Sequence, residues 1–243
     1  MVRRMYLYLM TDFYGSKPYE LLEPIYVPDI YPITEADSGV DPDYIYPGYR
    51  CIDDIYYTDM FRVTESEMAL RDTMRMLWEQ HSVWTRLAIM SIVAGSPDQD
   101  LVIARLLRNP KDFEAALRPF YGDKVAAEFN KLLTSHLVIA AELVKASKAG
   151  NTNAAADAEK RWYENADQIA ELLSRINPYW YLEDWKAMLH EHLALVKAEA
   201  VAILTSDYKR SISIYDEIEA QALEMADTMA EGIIEQFPER FQD

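Results

Sequence analysis

The segment LWEQHSVWTRL, residues 77–87, decides the fold because it sets His81 within an apolar helical stripe. The positions three and four residues from His81 are Leu77, Trp78, Trp84 and Thr85, which share its face of a helix. Two later segments have the same form: LLTSHLVIAAEL, residues 132–143, contains His136, and MLHEHLALVKAE, residues 188–199, contains His192. The pattern predicts three helices whose histidines face inward, with His190 turned toward solvent.

The three histidines also mark an internal repeat. They lie 55 and 56 residues apart, and the residue fourteen positions after each is Gly95, Gly150 or Ser206, which we predict to be tight turns. Units of this kind bury an apolar face only by packing on one another. We therefore expect an all-α, antiparallel helical bundle at residues 64–237, built from three αα-hairpins at about 64–121, 122–180 and 181–237.

Local signals place the helix ends. Thr64 and Glu67 form a Thr-x-x-Glu capping box, and Ser96–Pro97 reads as a cap followed by the first helical residue. Asn109–Pro110 predicts a break, Gly122–Asp123 a new helix, and Asn177–Pro178 a stop.

The first 63 residues differ in composition from the rest. They contain 11 of the 17 tyrosines and 6 of the 11 prolines, without helical periodicity. Proline removes backbone donors and favours extended geometry, which predicts an irregular, extended arm. Because so many tyrosine rings are unfavourable in water, we expect the arm to pack on its own body, or to contact a protein partner or a second copy in a homodimer, with free disorder as the remaining alternative.

Charge and composition exclude several classes of function. The net charge of −17 argues against nucleic acid and anionic membrane surfaces as partners, since phosphate binding needs a basic stripe. The single cysteine, Cys51, excludes a disulfide framework and a cysteine-rich zinc site. The sequence has no apolar run of 18 residues and no pattern of a signal peptide at its start, so we expect a cytoplasmic protein without a membrane span.

Three histidines at one level of a bundle favour a transition metal, iron or zinc, because imidazole suits these ions. The predicted ligands are His81, His136 and His192, with carboxylates drawn from Glu142, Glu199 and Glu217. The Glu-x-x-His pairs of a di-iron carboxylate bundle do not occur. Three alternatives stay open: separate structural histidines, a non-catalytic structural or interaction protein, and a small-molecule-binding bundle whose pocket is lined by tryptophans.

Four segments carry a resemblance to a known family: LWEQHSVWTR, LLRNPKDFEAALRPFYGD, HLVIAAELVKASKAG and RWYENADQIAELLSRINPYW. They resemble a helical family of Gram-positive spore-forming bacteria whose members often carry the label acetylglutamate kinase. That activity would need an α/β sheet and glycine-rich nucleotide loops, neither of which this sequence predicts. The WEQH and HEH segments are also distantly similar to ferritin-like helical bundles, and this similarity implies a metal in the core.

Overall fold

The computed structural model describes residues 63–242, and within that range every regular element is helical. The predicted Tyr/Pro-rich arm, apart from residue 63, lies outside the described residues. The helices are α1 Glu65–Ala94, α2 Gln99–Leu106, α3 Asn109–Lys148, α4 Thr152–Ile176, α5 Leu182–Leu204 and α6 Tyr208–Gln236, followed by a 3₁₀ turn at Pro238–Arg240. Among these described helices, none is long and apolar enough to cross a membrane.

The capping box at the start of α1 is confirmed. The Glu67 backbone N–H donates to Thr64 Oγ1 at 3.2 Å, and the Thr64 backbone N–H donates to Glu67 Oε2 at 3.2 Å. These two bonds satisfy donors that the first turn of a helix otherwise leaves free.

The three predicted tight turns share one backbone geometry. Gly95, Gly150 and Ser206 have φ of 65°, 67° and 61°, which is the left-handed region. In each case the next residue donates its N–H to the carbonyl five residues earlier: Ser96 to Ser91, Asn151 to Ala146 and Asp207 to Ala202, at 3.0, 3.0 and 2.8 Å. This closure ends a helix, so all three long helices that carry the histidines stop in the same way.

The region between α1 and α3 contains one correct and one wrong prediction. The break before Pro110 is confirmed, since α2 ends at Leu106 and α3 starts at Asn109. The helix start at Ser96–Pro97 is wrong, because α2 begins only at Gln99. The Asp98 carboxylate accepts hydrogen bonds from the hydroxyls of Ser91 and Ser96, and these bonds fold the intervening residues into a turn.

Gly122 divides α3 into two arms, residues 109–121 and 123–148. Its φ of 76° and ψ of 171° are not helical, so the predicted new helix at this point is confirmed as a change of direction. With this break, the long segments form a closed ring of neighbours: α3 packs on α4, α4 on α5, α5 on α6, and α6 on α1, which also contacts α3 and α5. The ring encloses the main core, where the histidine-bearing helices meet.

Candidate functional site

His81 on α1, His136 on α3 and His192 on α5 meet in the core. Their exposed fractions are 2%, 3% and 2%, and all three line one central cavity of about 10 Å³. The ring centroids of His81 and His192 are 5.7 Å apart. The other residues around this cavity are Trp78, Phe129, Leu133, Ile169, Leu173, Trp185 and Leu189.

A side-chain amide from another helix holds each imidazole through Nδ1. The partner lies 28 or 29 residues after its histidine, on the helix that follows the tight turn or the break. The three pairs are His81 Nδ1 with Asn109 Oδ1 at 3.2 Å, His136 Nδ1 with Asn165 Oδ1 at 2.9 Å, and His192 Nδ1 with Gln221 Oε1 at 2.9 Å.

The second hydrogen bond of each amide fixes which way it points. Its nitrogen donates to the backbone carbonyl four residues before the histidine: Asn109 to Leu77 at 2.9 Å, Asn165 to Leu132 at 3.2 Å, and Gln221 to Met188 at 2.6 Å. Because the amide nitrogen faces a carbonyl, the amide oxygen faces the ring and accepts a hydrogen bond from Nδ1–H. In a neutral imidazole this places the hydrogen on Nδ1 and leaves Nε2 with a free lone pair.

The environment keeps these rings neutral. Burial lowers the pKa of His81 and of His136 to about 3 and that of His192 to about 4, because a charged ring would lose its hydration. The neighbouring histidines lower the pKa of His81 and His136 further, and the amide hydrogen bonds act in the opposite direction. At neutral pH the site therefore presents three uncharged nitrogen bases.

Two tryptophans also line this cavity. Trp78 packs edge-on against His81 with ring centroids 5.6 Å apart, and Trp185 is also part of the lining. Within residues 63–242, the indole N–H groups of both are buried without a hydrogen-bond partner. A cavity of about 10 Å³ is at the lower limit for one water molecule, so the space suits a single small species, an ion or a water.

The predicted carboxylates lie elsewhere. Glu142 is exposed and pairs with Arg161 at 2.8 Å, and Glu217 is exposed on α6. Glu199 is buried, with an exposed fraction of 1%, but its carboxylate accepts a hydrogen bond from Arg86. The described cavity lining contains none of the three. Across residues 63–242, no group of three or more His, Cys, Asp or Glu has the arrangement of a metal site.

Arg86 and Glu199 form a separate buried ion pair between α1 and α5. Burial raises the pKa of Glu199, and the Arg86 guanidinium opposes that rise. Arg86 also donates to the backbone carbonyl of Ser211 at 3.2 Å and lies over the ring of Tyr215. The pair joins three helices and accounts for the position of Glu199 away from the histidines.

His190, which we expected to face solvent, is partly exposed and bonds to Asp167 at 2.9 Å. It lies outside the described lining of the central cavity, two residues from His192. Its partly exposed position makes His190 a suitable control residue for substitutions of the three buried histidines.

The residues that sequence reasoning missed are the amides Asn109, Asn165 and Gln221. They are buried polar side chains, and their constant offset of 28 or 29 residues from each histidine is a signal that could have identified them.

Comparison with known proteins gave no matching family model, no matching curated protein and no matching solved structure.

Proposed function

We propose that this chain is a metal-binding helical bundle in which His81, His136 and His192 bind one transition-metal ion through Nε2. The observation that supports the proposal is the shared tautomer: each Nδ1 is engaged by an amide oxygen, so each lone pair is on Nε2. Histidines that bind metals commonly donate their other ring hydrogen to a carbonyl or carboxylate, which fixes the ring for coordination.

The chemistry of the cavity wall also suits a metal ion. Three neutral imidazoles line this buried space, and each keeps the lone pair of Nε2 because Nδ1 carries the hydrogen. Iron or zinc would satisfy all three lone pairs at once, since imidazole is a good ligand for both ions. Glu142, Glu199 and Glu217 are engaged or placed elsewhere, so a water molecule is the better candidate for a fourth ligand.

We further infer that residues 64–237 consist of three repeated αα-hairpins packed antiparallel. Three features support this: the 55- and 56-residue spacing of the histidines, the three matching left-handed turns, and the three matching histidine–amide–carbonyl units. Such a repeat would carry equivalent side chains to one level, which is the simplest origin for a site of three identical ligands.

The single cysteine favours a cytoplasmic location, and the net charge of −17 argues against nucleic acid as a partner. The Tyr/Pro-rich segment before residue 63 remains our candidate for contact with a second copy or another protein.

Elemental analysis of protein purified without a histidine tag tests the metal proposal. We expect close to one ion per chain, or one equivalent taken up on anaerobic titration with Fe²⁺ or Zn²⁺. Replacing any one of His81, His136 and His192 with Gln should remove most binding, and a second replacement should add little. His190→Gln is the matched control and should bind normally.

The competing interpretation is that the three rings are structural, each held by its own amide. In that case the protein is metal-free and refuses iron, zinc, copper and manganese on titration. Each Gln variant would then lose stability through the hydrogen bonds of its own histidine and through the packing that the three rings share.

A further inference from the structure

A second, larger cavity lies between α1, α3, α4 and α5. Its volume is about 310 Å³, within the lower range of small-molecule sites. Six alanines on these four helices line it: Ala88, Ala140, Ala141, Ala155, Ala156 and Ala200. The space exists because short side chains stand where larger aliphatic residues would fill the gap between the helices.

Two buried polar groups belong to this wall. Thr85 and Trp162 both line the cavity, with exposed fractions of 8% and 2%. Among the described residues, Thr85 Oγ1 and Trp162 Nε1 are buried and have no hydrogen-bond partner. A hydroxyl and an indole N–H can both donate, so an accepting oxygen on an occupant would relieve an unfavourable arrangement.

The charges around the cavity favour an uncharged occupant. Glu159 and Lys197 are the charged residues of its described lining, and they form an ion pair with each other. The remaining surface is mostly aliphatic, and the net charge of −17 disfavours an anion. An apolar molecule would gain from burial against the alanine and leucine side chains.

We propose that this cavity binds an uncharged, mainly apolar small molecule that carries one hydrogen-bond-accepting oxygen. The site is separate from the histidine cavity, because the two described linings have no residue in common. It also refines the expectation of a tryptophan-lined pocket: Trp162 lines this cavity, whereas Trp78 and Trp185 line the small one.

The probe for the test is prodan, an uncharged naphthalene ketone whose fluorescence shifts to the blue in apolar surroundings. We expect the full chain to bind it saturably at one equivalent. Ala200→Leu and Ala141→Leu each fill part of the cavity and should weaken binding at least tenfold. Ala187→Leu, at an exposed position on the same helix as Ala200, should leave it unchanged.

A second variant tests the accepting oxygen. Thr85→Val keeps the shape of the side chain but removes the hydroxyl, so prodan should bind about fivefold more weakly, the usual worth of one hydrogen bond. Binding of N-phenyl-1-naphthylamine, which has no oxygen, should not change. Equal prodan affinity for Thr85→Val and the parent chain overturns the assignment of the oxygen.

The proposal as a whole is overturned if the parent chain gives no saturable blue shift, or if both cavity-filling variants bind prodan as well as the parent. A photoreactive benzophenone at Val201, on the rim, tests other occupants. A cross-link to residues 1–62 or to a second copy that excess prodan does not suppress also overturns it.

Discussion

Lowering the pH from 7.5 to 5 should destabilise this protein through its three buried histidines. Each ring has a folded-state pKa of about 3 or about 4, well below the value of about 6.5 expected in the unfolded chain. The unfolded chain therefore binds more protons in this range, and the free energy of unfolding falls as the pH falls. The contribution is fully present above about pH 6.5 and is lost on the way down to the folded pKa values.

The size of the effect follows from the same values. At pH 5 each ring lowers the free energy of unfolding by about 2 kcal/mol, so the three together lower it by about 6 kcal/mol. Below the pKa of the unfolded chain, the slope of the free energy of unfolding against pH approaches the value for three protons, which is about 4 kcal/mol per pH unit. Since domains are commonly stable by about 5–15 kcal/mol, we expect acid unfolding to begin near pH 5.

Urea unfolding followed by circular dichroism at half-unit steps of pH, with a chelator present, measures this slope. Burial raises the pKa of Glu79 and of Glu199, so these two groups act in the opposite direction, and pH 5 is the useful lower limit. His192→Gln should reduce the slope from about three protons to about two. A slope near one proton, or one that His192→Gln does not alter, would refute the reasoning.

Four single substitutions and one double variant test other parts of the fold by urea unfolding at pH 7. Ser206→Gly should raise the free energy of unfolding by about 1 kcal/mol because Ser206 has a left-handed φ. Gly150→Ser should lower it by a similar amount through the same left-handed φ alone, because an added Cβ there meets nothing within 4 Å. Gly232→Ala should cost about 3 kcal/mol, because its Cβ would lie 2.0 Å from a buried indole; a neutral result would contradict that packing. Arg86→Ala should cost about 3–5 kcal/mol by leaving the Glu199 carboxylate buried alone, and adding Glu199→Gln should recover part of this loss.

The helix ends could be predicted from sequence because short-range chemistry sets them. The capping box at Thr64, the left-handed turns at Gly95 and Gly150 and the change of direction at Gly122 each depend on a few neighbouring residues. The helix does not start at Ser96–Pro97 because the hydroxyls of Ser91 and Ser96 both donate hydrogen bonds to the carboxylate of Asp98. These bonds compete with helical geometry at this point.

The side-chain partners could not be predicted in the same way, because they come from distant parts of the chain. Glu199 pairs with Arg86, which is 113 residues away, and this pairing removes it from the set of expected ligands. Helical periodicity shows which face of a helix is buried, but it does not show which neighbouring helix supplies a hydrogen bond. The inward direction of the histidines followed from their own helices, whereas the sequence signal for the amides was only their repeated offset of 28 or 29 residues from each histidine.

The three histidine units share one hydrogen-bonding pattern but not one type of amide residue. A duplicated hairpin would carry the same residue to each equivalent position, yet the amide is Asn at 109 and 165 and Gln at 221. Gln221 is longer by one methylene and still makes both bonds, at 2.9 Å to His192 and 2.6 Å to the Met188 carbonyl. Both types of amide therefore leave the hydrogen on Nδ1 and the lone pair on Nε2. A structural histidine is satisfied by either tautomer if its partners adjust, so the same tautomer in all three units is the feature that the proposed metal site would use.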